Sequence, residues 1–125
     1  MPELSVIIPL YNEIDNVEPL VAALRAALGE ADVEVIIVDD GSRDGSAAAL
    51  DRAQAEWPEV LTVLHLQRNF GQTAAMQAGI DAARGEVIVT LDADLQNDPQ
   101  DILPLAQRLL AENLDVVAGW RKNRQ

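Results

Sequence analysis

"VEVIIVDDGSRDGSAAALDRAQAEWP", residues 33–58, contains one complete change of hydrophobic period. Val33 to Val38 is an apolar run of strand length, broken only by Glu34. Asp39-Asp40-Gly41-Ser42 ends it with polar and turn-forming residues. An alanine-rich stretch from about Asp44 to Trp57 then has the length and composition of a helix, and Pro58 stops it. Strand, polar turn and helix in this order form half of a β-α-β unit.

The same alternation continues in both directions. Upstream, Leu4-Ser5-Val6-Ile7-Ile8-Pro9-Leu10 is a nearly continuous apolar run, the mark of a strand covered on both faces. Ile14, Val17, Leu20, Val21, Leu24 and Leu28 follow at helical spacing, with Gly29 as the stop. Pro19 is tolerable there if the helix starts near Asp15 or Asn16, which places the proline in the first turn. Downstream, Val60 to Leu66 is a third strand, and Gln72 to Arg84 a helix capped by Gly85. Glu86 to Leu91 is a fourth strand. Asp98 is a good N-cap, with Pro99 at the first helical position and Asp101 favouring the helix dipole. That helix reaches about Glu112, and Asp115 to Ala118 is a short fifth strand. The pattern predicts an α/β fold: a Rossmann-like, mainly parallel sheet with helices on both faces and right-handed crossovers.

Composition narrows the function. The 125 residues suffice for one domain, and 49% hydrophobic content with only 3% aromatics calls for an aliphatic core. A net charge of −12 argues against nucleic acid as a partner, because phosphate backbones demand basic surface. Arg121, Lys122 and Arg124 form the one basic cluster, either a solvated end or the start of a phosphate- or membrane-facing element. The chain has no cysteine, hence neither disulfides nor thiolate metal sites. With no signal-peptide pattern and no apolar run near the ~20 residues that span a bilayer, the expectation is a soluble chain in the cytoplasm.

In an open α/β sheet, ligands sit outside the carboxyl ends of the strands. Those ends carry Pro9-Leu10-Tyr11-Asn12-Glu13, Asp39-Asp40-Gly41-Ser42, Gln67-Arg68-Asn69 and Asp92-Ala93-Asp94-Leu95-Gln96, so most of the distinctive polar residues converge on one edge. Asp39-Asp40 has two readings. One carboxylate caps the next helix while the other is solvated, or one accepts hydrogen bonds from a nucleobase or ribose, with Gly41 permitting close approach. A dinucleotide site would show GxGxxG after the first strand, where this chain has PLYNE. Arg68 and Asn69 precede a helix that begins with the small or polar Gly71, Gln72 and Thr73, a place where anions bind, unless this is a plain surface loop. His65 reads as a core or interstrand histidine without a role.

Asp92 and Asp94 are the sharper signal. On an extended chain their side chains share a face roughly 7 Å apart. Two such carboxylates can hold one hard divalent ion, Mg2+ or Mn2+, that also binds diphosphate oxygens. They could instead cap the next helix, but Asp98 already does that.

Together, "SVIIPLYNEIDNV", "EVIIVDDGSRDGS", "LQRNFGQTAAMQAGIDAARGEVIVTLDADLQNDPQDI" and "DVVAGWRKNRQ" resemble the family 2 glycosyltransferases of the GT-A fold. The RNFGQTAA block and DADLQNDP are most similar to the branch that transfers sugars to polyprenyl or dolichyl phosphate. The resemblance implies that Pro9, Tyr11 and Glu13 line the nucleotide and that Asp40, with its neighbour Asp39, reads the base. It implies that Arg68 and Gly71 border the nucleotide, and that Asp92 and Asp94 hold metal and diphosphate with support from Gln96. Arg121 and Arg124 would face donor or acceptor phosphates. The implied reaction is an inverting transfer from a UDP- or GDP-sugar to a lipid phosphate. The phosphate oxygen is already anionic, so no strong general base is required; a saccharide acceptor would need one.

A phosphate-accepting receiver domain is the contrasting reading. It would want an acidic pair after the first strand and an Asp after the third, where this chain has Asn12-Glu13 and no Asp. A complete GT-A domain is nearly twice as long. The expectation is therefore one nucleotide-sugar-binding domain over residues 1–125, the N-terminal portion of a longer catalytic domain. Such a piece would bind donor but turn over poorly. In the full-length protein, the C-terminal part could reach a membrane surface on the cytoplasmic side.

Overall fold

Every residue of strand β1 (Leu4–Leu10) is buried, as expected for a central strand covered on both faces. Strand β2 (Val33–Asp39) is buried along its whole length as well. The computed structural model describes residues 2–28, 32–91, 93 and 116–117. Within them, chain order continues with helix α1 (Ile14–Leu28) between β1 and β2, then helix α2 (Ser46–Glu56), strand β3 (Leu61–His65), helix α3 (Gln72–Ala82), strand β4 (Val87–Thr90) and strand β5 (Val116–Val117). The predicted helix from Asp98 to Glu112 and the stop at Gly29 lie outside the described residues.

Among the described residues the sheet has five strands in the order β3-β2-β1-β4-β5, and every neighbouring pair is parallel. Alternate residues of each strand face opposite layers. On one face Val6, Ile8, Val35, Ile37 and Val89 pack with Val17, Leu20, Leu24 and Leu28 of α1 and Leu50 of α2. On the other, Ile7, Ile36 and Val38 pack with Ala75 of α3. The doubly wound α/β arrangement read from the sequence is the one observed.

The boundaries differ in places that have physical causes. Helix α1 begins at Ile14, so Pro19 is its sixth residue rather than part of the first turn. A proline there has no N–H to donate to the carbonyl of Asp15. Helix α3 ends at Ala82, so Gly85 does not cap it. Gly85 instead passes so close to β1 that a Cβ would lie 2.6 Å from the Ser5 nitrogen, and its own N–H donates to Ser5 Oγ at 2.8 Å.

That contact belongs to a tie at the amino-terminal edge of the sheet. Glu34 is only 6% exposed, and its carboxylate accepts from Ser5 Oγ and from the Arg84 N–H, each at 2.5 Å, and from Arg84 Nε at 3.3 Å. Burial pushes this carboxyl up, but the Ser5 hydroxyl and the Arg84 amide and guanidinium outweigh it and hold the group below its ordinary value.

Candidate functional site

The strand order places β1 at the centre. The chain leaves it towards β2 and β3 on one side and then crosses to β4 on the other. The crevice at the carboxyl ends of β1 and β4 is therefore the point where strand order reverses, the usual ligand position in this architecture. Pro9 helps to end the pairing there. Glu3 and Ile7 accept from Val87 and Leu91 with their carbonyls, so odd-numbered residues of β1 face β4. Pro9 shares that side, and having no N–H it offers no donor beyond the last paired residues, Ile7 and Thr90.

Four hydrogen bonds join the loop after β1 to the loop after β2. Asn12 N–H donates to Ser42 Oγ at 2.8 Å, and Arg43 N–H donates to Asn12 Oδ1 at 2.8 Å. Glu13 N–H donates to Ser46 Oγ at 3.1 Å, and Ile14 N–H donates to Asp44 Oδ2 at 3.1 Å. Asp44 Oδ1 accepts from both the N–H and the hydroxyl of Ser46, at 3.0 and 2.6 Å. One carboxylate thus serves the first turns of α1 and α2 together, a favourable place for negative charge. Desolvation opposes its ionisation, but the Ser46 and Ile14 donors together outweigh it and hold Asp44 below the ordinary carboxylate range. Glu13 Oε1 accepts from Asn16 Nδ2 at 2.7 Å.

Asp39, the last residue of β2, and Asp40, which follows it, are 2% and 3% exposed, so neither is solvated. Asp39 Oδ1 accepts from the Ser42 N–H at 3.0 Å, and its Oδ2 lies 2.9 Å from His65 Nδ1. His65 Nε2 lies 2.7 Å from Asp51 Oδ1, so the ring bridges two carboxylates. Asp40 Oδ1 accepts from the Phe70 N–H at 2.8 Å. Its Oδ2 accepts from the Gly71 N–H and Asn69 Nδ2, both at 3.0 Å. Asp40 therefore holds the lead-in to α3, not the start of the helix that follows it in sequence. Gly41, at φ 76°, makes this possible: a Cβ there would lie 2.4 Å from the Arg68 carbonyl carbon. The close approach that Gly41 permits is thus made by the protein's own backbone.

Three strand-end loops are knitted into one rim by these contacts. Tyr11 and Phe70 are exposed on it, at 43% and 50%, and the Arg68 guanidinium lies 4.7 Å from the centre of the Phe70 ring. Of the residues singled out in the sequence, Pro9, Tyr11, Glu13, Asp39, Asp40, Arg68 and Gly71 all belong to this edge. Asp92, Asp94, Gln96, Arg121 and Arg124 lie outside the described residues, although Ala93 between the two aspartates is buried in the core. Among the described residues no group of three or more His, Asp and Glu side chains is placed to hold a metal ion.

Sequence reasoning missed Asn12, Ser42, Asp44 and Ser46 as loop-joining residues and gave His65 no part. The sequence placed a turn at Asp39–Ser42 and began the next helix near Asp44, whereas α2 begins at Ser46, and nothing local pointed to partners about 30 residues away. A hollow of about 400 Å³ between α1 and α2, lined by Val17, Val21, Arg25, Ala49, Arg52 and Ala53, contains none of the strand-end residues.

A doubly wound sheet with an acidic, loop-knitted edge at the switch point is the architecture of nucleotide-sugar transferases of the GT-A type. The chain belongs to glycosyl transferase family 2, whose model matches residues 5–125. It is 48% identical over 125 residues to a dodecaprenyl-phosphate galacturonate synthase of Rhizobium johnstonii, a match covering 98% of this chain and 37% of that protein. It is 46% identical over 123 residues to an undecaprenyl-phosphate 4-deoxy-4-formamido-L-arabinose transferase of Pseudomonas fluorescens, covering 97% of this chain and 36% of the relative. The chain thus spans little more than a third of the length of these curated relatives, their N-terminal part.

Among solved structures, the mannosyltransferase PcManGT of Pyrobaculum calidifontis, in complex with GDP-Man and Mn2+, superimposes with a TM-score of 0.77 at 30% identity. That match covers 88% of this chain and 32% of the mannosyltransferase. S. aureus TarS 1-349 in complex with UDP-GlcNAc gives 0.72 at 26% identity, covering 90% of this chain and 32% of TarS.

Proposed function

We propose that this chain is the donor-binding part of a metal-dependent, inverting glycosyltransferase that passes a sugar from a nucleoside diphosphate to a polyprenyl phosphate. The observation that carries the reading is the convergence of Pro9–Glu13, Asp39–Asp40 and Arg68–Gly71 on one knitted edge at the switch point of a family 2 fold. The lipid-phosphate acceptor is favoured by the activities named for the relatives from Rhizobium johnstonii and Pseudomonas fluorescens. Action at the cytoplasmic face of a membrane suits such an acceptor; among the described residues no helix is long and apolar enough to cross one.

In this reading residues 1–125 form one nucleotide-sugar-binding unit. Tyr11 and Glu13 border the base and ribose. Asp40 and Asp39 present carboxylate lone pairs to base or ribose hydroxyls beyond those used within the protein, and Arg68 and Gly71 close the opposite side. Asp92, Asp94 and Gln96 form a set of hard oxygen donors suited to Mg2+ or Mn2+. Such an ion, when bound, supplies Lewis-acid neutralisation of the departing diphosphate. Arg121 and Arg124 would face the phosphates of donor or acceptor. A phosphate oxygen of the acceptor is already anionic, so the chain's contribution to the chemistry is orientation and exclusion of water.

Calorimetric titration of the chain with UDP and with GDP, each with and without Mn2+, tests this. The expectation is saturable binding of one nucleotide that strengthens at least tenfold with the metal, and loss of that metal dependence in Asp94→Asn. Absence of binding by both nucleotides at millimolar concentration with Mn2+ would refute the donor-binding reading.

A further inference from the structure

We propose that Asn12, through its attachment to the turn at residues 42–46, is a positioning residue that sets Tyr11 and Glu13 in the conformation that receives the donor. The inference rests on the donor-binding reading above. Asn12 is the one non-glycine residue with positive φ among the described residues, at φ 52°. Asparagine is among the few side chains that tolerate this left-handed conformation. Asn12 is exposed, so core packing does not impose the conformation. What holds it is a reciprocal pair of bonds, from its own N–H to Ser42 Oγ and from the Arg43 N–H to its Oδ1. Ser42 is held in turn through its N–H on buried Asp39. The path Asp39, Ser42, Asn12 therefore runs from the buried carboxyl end of β2 to the turn between Tyr11 and Glu13.

A purely structural role, starting α1, is already filled by other groups. Asp44 accepts from the Ile14 N–H, and the Glu13 carbonyl accepts from the Asn16 N–H. The Asn12 bonds lie upstream of the helix and tie the reversal that carries Tyr11 and Glu13 to the turn at residues 42–46. Residues kept in sparsely populated backbone regions by several partners are characteristic of ligand clamps, where the conformation is pre-organised before binding. Exposed hydrogen bonds add little to global stability, so their loss should loosen the loop more than the fold.

The test compares nucleotide affinity and melting temperature in three variants. Asn12→Gly keeps access to positive φ but loses the side-chain acceptor; Asn12→Asp keeps both; Asn12→Ala loses both. With UDP or GDP plus Mn2+, whichever the unmodified chain binds, Asn12→Ala is expected to weaken binding about tenfold or more. Asn12→Gly should fall between, and Asn12→Asp should stay within about threefold of the parent. Melting temperatures should move by only a few degrees. Ser42→Ala, which removes the partner on the other loop, should weaken binding in the same direction and serves if Asn12→Ala does not fold. Binding by Asn12→Ala as tight as the parent's, or no rescue by Asn12→Asp, overturns the inference while leaving the donor-binding reading intact. Failure of the unmodified chain to bind either nucleotide overturns the donor-binding reading itself and this inference with it.

Discussion

Asp40 accepts three hydrogen bonds within the protein, from Asn69, Phe70 and Gly71, before any ligand is considered. Removing a charged acceptor from partly buried N–H donors costs about 2–4 kcal/mol. Asp40→Ala is therefore expected to lower the unfolding free energy in urea by that amount, through loss of the α3 lead-in, whatever it does to nucleotide binding. A cost below about 0.5 kcal/mol would contradict the role given to these bonds.

His65, the chain's single histidine, shows the same economy with charge. Burial lowers the affinity of the ring for its proton, but Asp51 and Asp39 outweigh it and raise the pKa above 6.5. A neutral imidazole has one N–H and can donate to only one of the two carboxylates. Because the folded state binds this proton more tightly than the unfolded state, the tie is fully present below pH 6.5 and is lost as pH rises through the folded-state value. An NMR titration should give a midpoint above 6.5, and His65→Gln should remove the decline in stability over that interval. A midpoint at or below 6.5 would contradict the bridge. None of this was legible locally. Asp39 and His65 are 26 residues apart, and only the parallel pairing of β2 with β3 sets them side by side.

At the scale of elements, the apolar runs located the strands and α1 among the described residues, because burial on one face or two is written directly in the spacing of Val, Ile and Leu, while α2 was read from its alanine-rich length and composition. They did not locate the ends. The ends depend on partners from elsewhere in the chain, such as Asp44 serving two helices and Gly85 pressing on β1. Glu34, which looked like an interruption in a buried strand, ties β1, β2 and the segment after α3 at the edge opposite the candidate site. Its lowered pKa means that its stabilisation is complete above the unfolded-state value of 4.5 and is lost as pH falls through the folded-state value. Glu34→Gln is expected to cost about 1–2 kcal/mol at neutral pH. The difference from the parent should shrink as pH drops below 4.5, and nucleotide affinity should not change. Equal destabilisation at pH 3 and pH 7 would show that charge has no part in the tie.

For the whole molecule, strand-helix alternation led to the parallel sheet and to the edge where the chemistry gathers, since both follow from connectivity rules. Which loops touch there was not legible, because that depends on strand order: β1 at the centre places residues 11–14 beside 42–46, and 41 beside 68–69. The same order predicts how stability is distributed. β1 pairs on both sides and is covered on both faces, so the amides of Val6, Ile7 and Ile8 should exchange with solvent only by global unfolding and be among the slowest in the chain. The loops at the two ends of the sheet should exchange by local opening. Nucleotide with Mn2+ should then act in two ways. It should slow the β1 amides through the mass-action gain in global stability, and it should slow residues 11–14 and 68–71 through direct ordering. Locally opening amides around Arg84 and Gly85, at the far edge, should be unaffected. Hydrogen exchange with and without ligand reads all three regions in one measurement. Equal slowing at Arg84–Gly85 and at residues 11–14 would show that the ligand does not act at the switch-point edge.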